Sequence, residues 1–261
     1  MIPLQDSIKC NTTPFVNYVI IAITALVFWG QLREPEEDQT LVENYAMIPA
    51  RVRDRDAKVE IPTYAEQNRR TGEVIIHKKE LGPPAIPPVF TLLTCIFLHG
   101  GWMHFLGNMW FLMIFGDNVE DRLGHFGYAL FYLAAGIAAS AVHLVTDPGS
   151  TVPTIGASGA IAGVMGAYFY WFRHSYVRAL VPLGYFTQLM DIPAPVFLGI
   201  WFVMQLVPGL GAITGGASEG VAWWAHIGGF IVGGLVAIMV GRPTMSEQDP
   251  DRRRPALTWR Y

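Results

Sequence analysis

Ser158 lies between two glycines, in Thr154-Ile155-Gly156-Ala157-Ser158-Gly159-Ala160, and two histidines, His104 and His226, stand in other apolar stretches of the chain. A serine hydroxyl beside an imidazole is the minimum for nucleophilic acyl transfer: the imidazole takes the hydroxyl proton and later returns it to a leaving amine. The serine falls at the expected start of a helix, where free backbone N–H groups and the helix dipole favour a developing oxyanion. Gly156 and Gly159 let backbone or substrate approach closely. This is not the G-x-S-x-G elbow of soluble hydrolases, because the second glycine directly follows the serine. The same residues also suit a purely architectural role, since Gly156, Gly159 and Gly163 have the spacing that packs transmembrane helices.

His226, in Ala222-Trp223-Trp224-Ala225-His226-Ile227-Gly228-Gly229, is followed by the pair Gly229 and Gly233, a spacing that permits close helix packing with Gly163 as a facing residue. His104 and Asn108 are four apart and share one helix face, so their N–H groups could complete an oxyanion hole or make a helix-to-helix hydrogen bond. The nearest acids in sequence, Asp147 and Glu219, belong to loops, which predicts a dyad rather than a triad. His99 reads as a water-network or loop-fixing residue, and His143 as an interfacial or core histidine. A haem or metal site built from His99, His104, His143 and His226 is the rival chemistry, but it would not require a serine between glycines at the same depth.

These residues need a membrane-embedded frame. Of 261 residues, 52% are hydrophobic and 15% charged, with mean hydropathy +0.33, too apolar for a soluble domain of this length. No charge interrupts Lys9 to Arg33, Arg122 to Asp147, Asp147 to Arg173, Asp191 to Glu219 or Glu219 to Arg242, and each gap has room for a membrane-crossing helix. The prolines at 83, 84, 87 and 88 exclude helix from the start of the longer gap between Glu80 and Asp117, so its span begins near Trp102. The expectation is an all-α bundle of six spanning helices near 14–32, 102–121, 126–145, 156–172, 193–209 and 222–241.

Arg122, Arg173, Arg178 and Arg242 fall on the side of the termini in this scheme, which predicts cytosolic termini. The second, fourth and sixth spans then run from outside to inside, and parity brings His104, Ser158 and His226 to one depth near the outer surface. The domain scheme is a cytosolic segment at 1–13, a membrane domain at 14–241 and a cytosolic tail at 242–261. Residues 33–88 hold nine Lys or Arg and eleven Asp or Glu, so this extracytosolic connection is solvated. It is a small folded element or an interfacial helix, with Ile61, Val74 and Ile76 as anchors, or else a partly mobile linker. Cys10 and Cys95 fall on opposite sides and cannot pair. No basic surface suggests nucleic acid.

With these residues assembled, the chain resembles the rhomboid family of intramembrane serine proteases over roughly residues 90 to 241. The likeness rests on His99-Gly100-Gly101-Trp102-Met103-His104 with Asn108, on Glu120-Asp121-Arg122-Leu123-Gly124, on Gly156-Ala157-Ser158-Gly159, and on Ala225-His226 with Gly229 and Gly233. It implies Ser158 as nucleophile, His226 as base, and His104, Asn108 and the Ser158 N–H as oxyanion donors, with no metal or cofactor. It also implies a structural ion pair of Glu120 and Arg122, membrane-protein substrates with one or several spans, and a bacterial-type plasma-membrane location. One departure stands out: many members carry an aromatic residue one turn after the serine, packed on the imidazole, where this chain has Ala162. That leaves a catalytically silent, client-binding relative as the alternative, with Tyr168, Trp223 and Trp224 as aromatics available to support His226.

Overall fold

A computed structural model describes residues 1–35, 39–67, 74–213 and 222–241, with the side chains of 61–67, 74–77 and 211–213 excepted. Glu219, Arg242 and the tail, along with the side chains of Ile61, Val74 and Ile76, therefore lie outside the described residues. Helices form close to where charge-free intervals predict them: α1 at Phe15–Gln31, α5 at Trp102–Thr146, α6 at Ser158–Trp171, α7 at Ala194–Ile213 and α8 at Trp223–Val240. Short helices precede α5, namely α2 at Thr40–Tyr45, α3 at Pro49–Arg53 and α4 at Thr91–Thr94. By length and hydropathy α5 and α8 can cross a bilayer, while Phe15–Gln31 and Ala194–Leu210 are apolar but shorter.

The two helices expected at 102–121 and 126–145 are limbs of α5, joined at Gly124 with φ 70° and ψ 161°. Only glycine takes that backbone without strain, so the chain bends there. The first limb holds the start of α1. Glu120 is fully buried and accepts the N–H groups of Val16 at 2.8 Å and Asn17 at 2.7 Å, two amides that α1 leaves unpaired at its first turn. Its carboxylate also meets the His125 imidazole at 2.5 Å, and the Arg122 guanidinium lies over the Trp171 ring at 5.9 Å.

The chain is mostly helical, but the all-α expectation is corrected by two antiparallel sheets among the described residues. Strands β1 (Ile2–Asp6), β4 (Tyr176–Leu183) and β5 (Phe186–Pro193) form one sheet in the order β1-β4-β5. Val177 and Ala179 point into the core while Tyr176, Arg178 and Leu180 point away, and Gly184 at φ +64° turns the hairpin. A search for long apolar runs misses such a period-two segment. The sheet runs along α5: Trp110 donates its indole N–H to Pro3 O at 2.6 Å, and Asn118 donates to Asp6 at 2.8 Å. Asp6 also accepts the Tyr168 hydroxyl at 2.6 Å, and burial pushes its carboxyl up to about 8.

The charged connection is a folded element. It carries α2, α3 and the pair β2 (Glu60–Gln67) and β3 (Val74–Glu80), and Arg51 closes its base by donating to Leu81 O at 3.0 Å and Gly82 O at 2.8 Å. Fully buried Met47 exchanges backbone hydrogen bonds with Thr154 at 3.1 and 2.8 Å, and Gly156 donates to Cys95 O at 2.9 Å. The segment leading into Ser158 is thereby tied down on two sides.

Candidate active site

Glycine brings α6 and α8 into backbone contact. A Cβ at Gly229 would run into the Gly159 carbonyl oxygen, and one at Gly233 into that of Gly163. Such closeness maximises dispersion contact between the two helices and leaves no room for a side chain. Gly163 therefore faces the Gly229–Gly233 pair. His226 stands one turn before Gly229 and Ser158 one residue before Gly159, so this packing sets the two side chains against each other. Ser158 Oγ and His226 Nε2 are 2.7 Å apart.

On the other side of the ring, His226 Nδ1 is 2.8 Å from Oε1 of Gln205, on α7. An amide oxygen only accepts, so Nδ1 carries the proton and the Nε2 lone pair faces the serine hydroxyl. Trp201 and Trp223 flank the imidazole, each with ring centroids 6.2 Å away. Ala162 is fully buried beneath Gly229 and brings no ring. Tyr168 is corrected as a support for His226, because its hydroxyl is bound to Asp6 and Ser175 at the far end of α6.

His104 and Asn108 project from the first turns of α5 into the same cavity of 550 Å³, which Gly156, Ser158, Gln205 and His226 also line. His104 Nδ1 accepts the Gly100 N–H at 3.3 Å, which leaves its proton on Nε2. A Cβ at Gly156 would lie 2.7 Å from that nitrogen, and the residue adopts φ +124°. Only glycine fits there, for both reasons. Asn108 Nδ2 is buried with no hydrogen-bond partner among the described residues. Two side chains that carry N–H donors thus line one space with the serine hydroxyl, which itself stands at the first turn of α6.

His99 fixes the loop before α5. Its backbone exchanges two hydrogen bonds with the Gln31 side chain, at 2.9 and 3.1 Å, and its ring packs edge-on to His104 at 5.1 Å. His143 does not line the cavity. Sequence reasoning missed Gln205 and Trp201. The available signal was a lone amide inside an apolar run, four residues after a tryptophan and so on the same helix face.

Residues 87–243 match the family model described as Rhomboid domain, and the chain belongs to the rhomboid family of membrane proteins. It is 30% identical over 174 residues to "Rhomboid-like protein 11, chloroplastic" of Arabidopsis thaliana, covering 64% of this chain and 58% of that protein. It is 34% identical over 152 residues to "Rhomboid protease GluP" of Bacillus subtilis, covering 58% of this chain and 26% of that protein. The chain thus spans under two thirds of either relative.

Proposed function

We propose that this protein is an intramembrane serine endopeptidase that cuts membrane-protein substrates near their extracytosolic ends. The observation that carries the reading is the 2.7 Å contact of Ser158 Oγ with His226 Nε2, in a cavity that His104 and Asn108 also line. Family membership and the likeness to a relative named as a protease support it. In this reading the domain at 14–241 crosses the membrane six times, the two limbs of α5 counting separately. The segments at 1–13 and 242–261 are cytosolic, and the protein resides in the plasma membrane, multi-pass.

A substrate helix must unwind locally to present a peptide carbonyl, because a helical backbone is already hydrogen-bonded to itself. As Ser158 Oγ bonds to the carbonyl carbon, its proton passes to His226 Nε2. Negative charge on the carbonyl oxygen is held by His104 Nε2–H, Asn108 Nδ2–H and the Ser158 N–H, with Gly156 allowing the approach. The C–N bond then breaks, and the imidazolium gives its proton to the leaving amine. Water, deprotonated by His226, hydrolyses the acyl-enzyme in the second half.

A fluorophosphonate probe followed by peptide mapping tests the assignment. Labelling at Ser158 in the wild type, and its loss in His226→Ala, is the expected pattern. Equal labelling of His226→Ala would remove the base from the mechanism.

A further inference from the structure

We infer that Gln205 is the third member of the constellation, a positioning residue that holds His226 in the tautomer and orientation the serine needs. The inference rests on the protease reading above and deepens it. An imidazole with one free nitrogen can carry its proton on either side, and only the form with a bare Nε2 can accept from Ser158. The 2.8 Å contact of His226 Nδ1 with Gln205 Oε1 matches that form, because an amide oxygen accepts the Nδ1 proton and leaves Nε2 bare toward the serine.

The helix that carries Gln205 is built to deliver it. α7 starts from a fixed base, where the Ala194 N–H bonds to Ser175 O at 2.9 Å and Phe197 and Leu198 are buried. Trp201 and Gln205, four apart, share the face that borders the cavity, so one turn of helix supplies both the ring that flanks the imidazole and the amide that orients it. On α6, Ala162 is fully buried against Gly229, and its methyl brings neither a ring nor a hydrogen bond to the imidazole. An uncharged amide also suits the site. It holds direction without placing in an apolar interior a carboxylate whose desolvation would have to be offset.

During attack the imidazole becomes an imidazolium, and its Nδ1–H bond to Gln205 becomes charge-assisted and stronger. Gln205 therefore acts more on the transition state than on substrate binding, which sets its signature. In Gln205→Met, which keeps the length and removes the acceptor, kcat is expected to fall about 10- to 100-fold with KM within about twofold. The rate of fluorophosphonate labelling at Ser158 should fall in the same proportion, since that reaction needs the base but no substrate docking. Gln205→Glu restores an acceptor at the same reach but adds a carboxylate whose desolvation must be offset, so kcat should rise above that of Gln205→Met without reaching wild type.

All rates are taken per mole of monodisperse folded protein. A Gln205→Met variant with unchanged kcat and labelling overturns the inference and leaves the Ser158–His226 reading standing. A loss confined to KM also overturns it, assigning Gln205 to the substrate cavity instead. A wild type that is not labelled at Ser158 removes the dyad, and Gln205 with it. Should the variants fail to fold, nitrogen-15 shifts of His226 in the unmodified enzyme decide the same question: a protonated Nδ1 and bare Nε2 are expected, and a protonated Nε2 refutes the role.

Discussion

Gly229→Ala places one methyl where the fold has none to spare. Its carbon would sit 3.1 Å from the Gly159 carbonyl carbon and 3.3 Å from Ala162 Cβ, and closer still to the Gly159 carbonyl oxygen, where ordinary contact begins near 3.4 Å. Neither backbone can bend away within a helix, so α8 must move off α6 by on the order of 1 Å. Ser158 precedes Gly159 directly, and the 2.7 Å contact to His226 would open beyond hydrogen-bond range. A misplacement of about 1 Å costs on the order of 100-fold in rate. Overpacking of this kind costs about 1–3 kcal/mol of stability, against about 1 kcal/mol gained from alanine's helix propensity. The control lies on the same helix: a methyl at Gly234 would meet only Gly166 O, at 3.7 Å. Turnover of a single-span reporter in liposomes should therefore drop about 100-fold in Gly229→Ala and stay within about twofold in Gly234→Ala. Equal turnover in the two variants would refute the claim that glycine packing of α6 on α8 sets the dyad.

Asn108→Ala removes a donor that has no partner among the described residues, so kcat should fall by about 100- to 1,000-fold while stability holds or rises, read by reporter cleavage and thermal unfolding. Asp6 gives a pH dependence with a definite sign. Its folded-state value of about 8 lies above the unfolded 3.8, so its stabilisation is complete below about pH 4 and fades as pH rises through about 8. The slope is at most about 1.4 kcal/mol per pH unit, and Asp6→Asn should flatten it in unfolding scans from pH 5 to 9. Glu120→Ala strands the Val16 and Asn17 amides and should cost about 2–4 kcal/mol, with turnover per folded molecule unchanged.

Much of this arrangement was legible because charge is scarce. Intervals between charges located α1 and α5 to α8 to within a few residues, and depth parity grouped His104, Ser158 and His226 before any contact was known. What stayed hidden depends on partners distant in sequence or on short periods. The alternation from Tyr176 to Leu180 is a strand pattern five residues long, and its partner β1 lies about 170 residues away, beyond what local pattern can pair. Arg178 and Asp191 read as loop charges, although they face each other across β4 and β5 at 2.8 Å. Gln205 was overlooked for a different reason. Aromatic support for the imidazole was legible in Trp223, which does flank the ring, but its hydrogen-bond support comes from a neighbouring helix that no local pattern pairs with α8.

Whether Ser158 and His226 cut a peptide bond within the membrane is decided most directly with purified protein in liposomes carrying a single-span reporter. Wild type is compared with Ser158→Ala and His226→Ala, each with and without EDTA. Cleavage near the reporter's extracytosolic end is expected from wild type alone, at the same rate with the chelator present. A reporter that binds wild type yet stays intact in all three proteins would contradict the dyad mechanism and favour a silent client-binding role.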